Sequence, residues 1–272
     1  MPARAMIARV SASSPVELLL ALAAAVVAGA INSIAGGGTL VSFPAIVALG
    51  VPPLVANATN AVALWPGAFG SLWAYRAEVS GARSWAARFA MPSILGGAAG
   101  ALLLLWTPSE RFEEVVPFLV LGATVLFMAQ GTIARRLRRG TGTTQFDVPG
   151  NALPPPPLIC LLYQFGVGVY GGYFGAGIGI LMLAGLGAMG LANIPRMNGL
   201  KNWGALCINA VAALIFSASG VVHWPFAIVM AVGGLIGGYS GAWVAQRVAQ
   251  TWVRRAISAI GLSAFVWLLL KQ

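Results

Sequence analysis

The sequence predicts an all-α polytopic membrane protein made of two related sets of helices, inverted relative to each other. Each set is expected to contain a short or re-entrant helix broken by glycines. Three observations carry this expectation. First, the 272 residues are 59% hydrophobic and only 8% charged, with a mean hydropathy of +0.86, whereas a soluble domain carries roughly 25% charged residues. Second, the apolar residues fall in long runs without period-two alternation, which argues for helices and against a β-barrel. Third, a glycine-rich motif occurs twice, once in each half.

The apolar runs are Val16–Ile34, Ala61–Trp73, Phe89–Trp106, Val115–Ile133, Leu158–Tyr173, Trp203–Ser219, Pro225–Val248 and Ala256–Leu270. A helix needs about 20 apolar residues to cross a bilayer, fewer when it bends or packs against a neighbour. Arg4 and Arg9 precede the first run, but no cleavage-like site closes it before Asn32, so it reads as a retained helix. The segment "RRLRRGTGTTQFDVPGNALPPPP", Arg135 to Pro157, is basic, then rich in Gly and Thr, then rich in proline. It reads as a cytoplasmic linker at 135–157 between an N-terminal transmembrane repeat at 16–134 and a C-terminal one at 158–270. Tryptophans mostly lie near the ends of runs, as in an aromatic belt.

Between the first two runs lies "NSIAGGGTLVSFPAIVALGVPPLVANATN", Asn32 to Asn60. Its counterpart follows Tyr173. "AGGGTL", Ala35–Leu40, matches "AGIGIL", Ala176–Leu181, so that Gly36 and Gly38 fall on Gly177 and Gly179. On the same register Asn57 falls on Asn198. Transporters commonly carry such repeats, with the binding site where the repeats meet.

The formal net charge is +10, but the arginines sit in short segments beside the runs: Arg76, Arg83 and Arg88; Arg135 to Arg139; Arg247, Arg254 and Arg255. This pattern sets orientation and points to no nucleic acid. With those segments cytoplasmic and the acidic Glu110–Glu114 loop outside, an even number of crossings must separate Arg139 from Arg247. The stretch Gly175–Leu191 then supplies a short returning helix, and Gly36–Leu49 does the same by symmetry. Re-entrant loops that do not fully cross are the alternative.

Broken backbone in a bilayer survives only where it faces protein or a water-filled cavity. A helix start carries partial positive charge and free N–H donors, which suits an anion. The candidate substrate-binding set is therefore Gly36, Gly37, Gly38, Thr39, Asn57, Thr59 and Asn60 from the first half, and Gly175, Gly177, Gly179, Asn198, Lys201 and Asn202 from the second. Close packing and helix–helix hydrogen bonding are the competing roles for the glycines and asparagines, and Asn32 and Asn209 fall in that class. Lys201 competes as a snorkelling anchor. Arg196 reads as a topogenic charge and His223 as an interface residue. No carboxylate lies within an apolar run except Glu17 at the edge of the first. No metal-ligand cluster or nucleotide loop is evident, and Cys160 and Cys207 read as buried thiols. No catalysis, cofactor or metal is expected.

The glycine motif, Pro44, "LGVPP" and "ANATN", answered after a basic central segment, resemble the TauE/SafE family of membrane transporters. The likeness covers the chain after about residue 16. Its first motif falls on Ala35–Leu40, Pro44, Gly50–Pro53 and Ala58–Asn60, and its second on Gly175–Ile180 and Asn198–Asn202. The second half departs from it, lacking the full glycine triplet and a counterpart of Pro44. The resemblance implies a multi-pass permease of the bacterial inner membrane, in a family linked to export of sulfite and organosulfonates. The expectation is a secondary transporter exporting a small anion. An anion channel and a non-transporting scaffold or lipid-embedded enzyme are the alternatives. The expected partners are the anionic substrate and the bilayer, with a homodimer left open.

Overall fold

A computed structural model describes residues 14–34, 37–140, 155–191, 193–244 and 250–271. They form α1 (Pro15–Ile34), α2 (Thr39–Ala48), α3 (Pro53–Ala74), α4 (Arg76–Gly81), α5 (Arg83–Trp106), α6 (Ser109–Gly140), α7 (Leu158–Tyr173), α8 (Ile178–Ala188), α9 (Ile194–Ser219), α10 (Trp224–Val244) and α11 (Gln250–Leu270). No strand occurs among the described residues. The all-α membrane fold is as the sequence predicts.

Several helices start before the apolar runs that announce them. α3 begins at Pro53, a residue suited to a first helical turn, so "ANATN" lies inside a helix rather than in a loop ahead of one. α9 begins at Ile194, where the Asn193 side chain accepts from the Arg196 N–H at 2.9 Å. The basic stretch Arg76–Arg88, between two apolar runs, is the short α4 and the start of α5. α6 runs on to Gly140, so the basic beginning of the expected linker is helical. Residues 141–154 lie outside the described set.

Four helical spans are long and apolar enough to cross a bilayer: Pro15–Asn32, Arg83–Trp106, Ser109–Thr132 and Pro195–Ser219. Apolar side chains such as Leu19, Leu95, Phe118, Ile159 and Ile228 are exposed on the outer faces, the surface that lipid covers. By contrast α2 has 10 residues and α8 has 11, or about 15–17 Å each, roughly half the hydrocarbon thickness.

The halves interleave. α1 packs chiefly on α10, and α7 chiefly on α5. In the repeat register α7 answers α1 and α10 answers α5, so each half's first helix leans on the other half's corresponding partner. The same exchange relates α2 on α11 to α8 on α6, and α3 on α10 to α9 on α5. Both seams are closed by glycine. A Cβ on Gly237 would strike the Val26 carbonyl, and one on Gly100 the Val169 carbonyl. A Cβ on Gly29 would strike the Gly234 carbonyl, and one on Gly172 the Gly97 carbonyl. These contacts are equivalent pair by pair, and only glycine lets the backbones come so near.

The central core is aromatic. Phe43, Phe112, Phe127, Phe174, Phe216 and Phe226 are buried in one cluster. Phe43 of α2 meets Phe174 edge-on, centroids 5.5 Å apart, and fixes the first short helix against the turn after α7.

Candidate functional site

A glycine that no other residue replaces cheaply lies just ahead of each short helix. Gly37 has φ +102° and Gly177 has φ +82°, a region that side chains with a Cβ rarely occupy. Gly175, at φ +83°, adds a second left-handed step before α8. The broken backbone is tied down from both sides. The Asn32 side chain at the end of α1 accepts from the Gly38 N–H at 2.8 Å. The Tyr170 hydroxyl donates to the Ala176 carbonyl at 2.7 Å. Asn57 of α3 donates to the Tyr173 carbonyl at 2.8 Å, joining the first half to the second half's break. Much of the donor capacity expected at the helix starts is therefore used internally. Leu40, Val41 and Ser42 donate to the Gly37 and Gly38 carbonyls, and Ile180 and Leu181 to that of Gly177.

Both breaks open onto one cavity of about 220 Å³. Of the residues singled out in the sequence, Gly37, Thr39, Asn57, Asn60, Gly175, Gly177, Gly179, Lys201 and Asn202 line it together. The others are placed elsewhere or not described. Gly38 is wedged against the Ala28 carbonyl, where it serves packing. Thr59 is fully buried, and its hydroxyl accepts from the His223 N–H at 2.9 Å. Asn198 is off the cavity wall. Gly36 lies outside the described residues.

Lys201 is the one charged residue on the cavity wall among the described residues. Its stem reaches past Gly179, where a Cβ would stand 3.3 Å from its Cδ, so the glycine makes room for the side chain. The ammonium makes no salt bridge among the described residues. A charge at bilayer depth costs about 2.5–3.5 kcal/mol at the helix centre on insertion scales. A cation placed among amides and an indole gives the cavity a wall suited to an anion.

Comparison with known proteins places this architecture in a family. The model of the family described as sulfite exporter TauE/SafE matches residues 21–268. The chain belongs to the TauE/SafE family. It is 27% identical over 254 residues to a probable membrane transporter protein, ORF9, of a Sinorhizobium species, covering 90% of each chain. It is 28% identical to the probable membrane transporter protein YfcA of Escherichia coli K12, covering 90% of this chain and 86% of that one. A probable membrane transporter protein of Haemophilus influenzae is 28% identical over 232 residues. No solved structure matches the chain. This TauE/SafE chain is a multi-pass membrane transporter with the bilayer and a small substrate as its partners.

Some lining residues of this TauE/SafE member escape sequence reasoning. Asn32 and Asn209 line the cavity although their type and spacing suit helix glue equally well. Trp65, which fits an aromatic belt by position, turns inward to the cavity. Trp85 is buried in the core, and Trp203 donates to the Ala86 carbonyl at 2.8 Å, whereas Trp73, Trp106 and Trp224 are exposed at helix ends. Gln130 of α6 also reaches the cavity. Its signal was an uncharged polar residue late in a strongly apolar run.

Proposed function

We propose that this transporter is a secondary carrier that moves a small anion, an oxyanion or a sulfonate, outward across the bacterial cytoplasmic membrane. The observation that carries the reading is Lys201, a cation without an ion-pair partner among the described residues, on the wall of a cavity where two broken helices meet. The family's description supplies the sulfite-like class and the outward direction. The substrate contacts Lys201, Asn202, Asn57, Asn60, Thr39 and the backbone at Gly37, Gly175, Gly177 and Gly179. The exchanged pairing of the helices supports two repeats related by a two-fold, which rock about the cavity to open it to one side at a time.

Counterflow in proteoliposomes tests the mechanism. Vesicles loaded with unlabelled sulfite or sulfoacetate accumulate external label transiently when the protein is a carrier. Simple equilibration without overshoot marks a channel, and absence of uptake marks a scaffold. Orientation has its own test. Single cysteines at Arg83, Arg138 and Arg254, in a background lacking Cys160 and Cys207, resist an impermeant thiol reagent applied outside intact cells. Ready labelling at Arg138 contradicts the inverted arrangement.

A further inference from the structure

We infer that the cavity takes a small organic oxyanion bearing a hydrogen-bond donor of its own. Trp65 and Gln130 donate to its acidic oxygens beside Lys201, and Asn60 accepts from its hydroxyl or amine. The inference rests on the anion-carrier reading above and narrows it.

Three side-chain atoms on the cavity-lining residues are buried with no hydrogen-bond partner within the described protein: Trp65 Nε1, Gln130 Nε2 and Asn60 Oδ1. Native proteins leave few such atoms unpaired, and each one calls for a reason. Here all three belong to residues that line one cavity, so a single reason serves them all. Asn60 is 3% exposed, and burying its carbonyl oxygen without a donor is costly. Trp65 is held by Phe69, its ring edge-on with centroids 5.1 Å apart, so its N–H is fixed in place before anything binds. Indole N–H is a donor only, and the ammonium likewise only donates.

The set therefore asks for acceptors in one part of the ligand and a donor in another. A fully deprotonated bare oxyanion supplies only acceptors and leaves Asn60 Oδ1 unpaired. Size agrees. A water's share of liquid is about 30 Å³, and the cavity, about 220 Å³, holds several times that, more than a bare oxyanion fills. One cation on the wall matches one negative charge on the ligand.

A matched series of sulfonates tests this without any mutation. Ethanesulfonate, 2-hydroxyethanesulfonate and 2-methoxyethanesulfonate carry the same charge, and only the second has a donor. In competition against labelled 2-hydroxyethanesulfonate in proteoliposomes, the hydroxy compound should bind at least about tenfold tighter than the other two. Asn60→Leu should bring that ratio close to one. Trp65→Phe, which keeps the ring and loses the N–H, should weaken all three by about tenfold. Equal affinity across the series in the wild-type protein overturns the inference, as does a methoxy compound that matches the hydroxy one. Sulfite that outcompetes the hydroxysulfonate also overturns it. Lys201→Gln separates this failure from that of the carrier reading: if it weakens every anion while the series shows no donor preference, the anion site stands and only the donor requirement falls. A wild-type protein that binds none of the four probes sinks both.

Discussion

α3 and α9 occupy equivalent places in the two halves and share four equivalent positions on the cavity wall, although α3 adds Asn57, Trp65 and Gly67. Asn60, Ala61, Leu64 and Ala68 line it from α3; Lys201, Asn202, Ala205 and Asn209 line it from α9. In the register that sets Asn57 on Asn198, each of the first four falls on the corresponding member of the second. The scaffold is thus shared and the chemistry is not. Where the first half has a neutral amide, the second has a cation, and the second half adds Asn202 and Asn209 opposite alanines. The glycine seams show no such divergence: Gly237 on Val26 and Gly100 on Val169 are the same contact made twice. Backbone packing is held to the symmetry, and the residues facing the cavity depart from it. That is the pattern expected when one asymmetric ligand binds at the centre of a nearly symmetric frame.

The seams offer the strongest way to break this comparison. Gly237→Ala and Gly100→Ala each place a methyl on a carbonyl, and overpacking of this kind costs about 1–3 kcal/mol or more. Both should lower the melting temperature in detergent to a similar degree. Gly122→Ala, whose added Cβ meets nothing within 4 Å, should be silent to within about 0.5 kcal/mol. Strong loss at one seam and tolerance at the other would end the claim that they are equivalent.

A smaller effect sharpens the contrast between the two breaks. Gly37→Ala meets both a left-handed backbone and the Phe127 ring at 3.0 Å, so it should cost about 1–3 kcal/mol of stability. Gly179 has no such backbone constraint, and the three atoms nearest to its Cβ all belong to the flexible Lys201 stem. Gly179→Ala should leave the melting temperature close to wild type and shift anion affinity by moving the ammonium. If the two substitutions exchange these signatures, Gly179 serves packing and Gly37 serves the ligand.

Thr59 separates structure from site at the level of one hydroxyl. Thr59→Val leaves the buried His223 N–H without its acceptor, a loss of about 1–3 kcal/mol. Substrate affinity, measured by transport at normalised protein levels, should not change. An affinity loss comparable to that of Asn60→Leu would return Thr59 to the cavity wall.

Much of this was legible in the sequence because bilayer physics writes it in composition. Apolar runs gave the helices, and glycines repeated at one register gave the two breaks and brought Lys201 and Asn60 to attention. Helix starts were less legible, since hydropathy is blind to a polar first turn. Pro53 and the Asn193–Pro195 stretch carry capping chemistry that marks them better. Direction within a helix was illegible for single polar residues. Asn57 and Asn198 match in register, yet only Asn57 faces the cavity. Trp65 and Gln130 sit in apolar stretches, and no local pattern encodes which side of α3 or α6 turns inward. Thr59 and Asn60 are neighbours in sequence, yet Thr59 meets the His223 N–H and Asn60 the cavity, for the same reason.

The central claim is that the second half's cation holds the anion, and Lys201 tests it most directly. The measurement is anion affinity in proteoliposome transport for wild type, Lys201→Gln, Lys201→Arg and the exchange Lys201→Asn with Asn60→Lys. Lys201→Gln should weaken affinity about tenfold or more, equivalent to about 1.4 kcal/mol. Lys201→Arg should keep part of it, and the exchange should recover part of what Lys201→Asn loses, since Asn60 stands at the equivalent place. Unchanged affinity and rate in Lys201→Gln would contradict the account: the lysine would then be an anchor, and the anion would bind elsewhere.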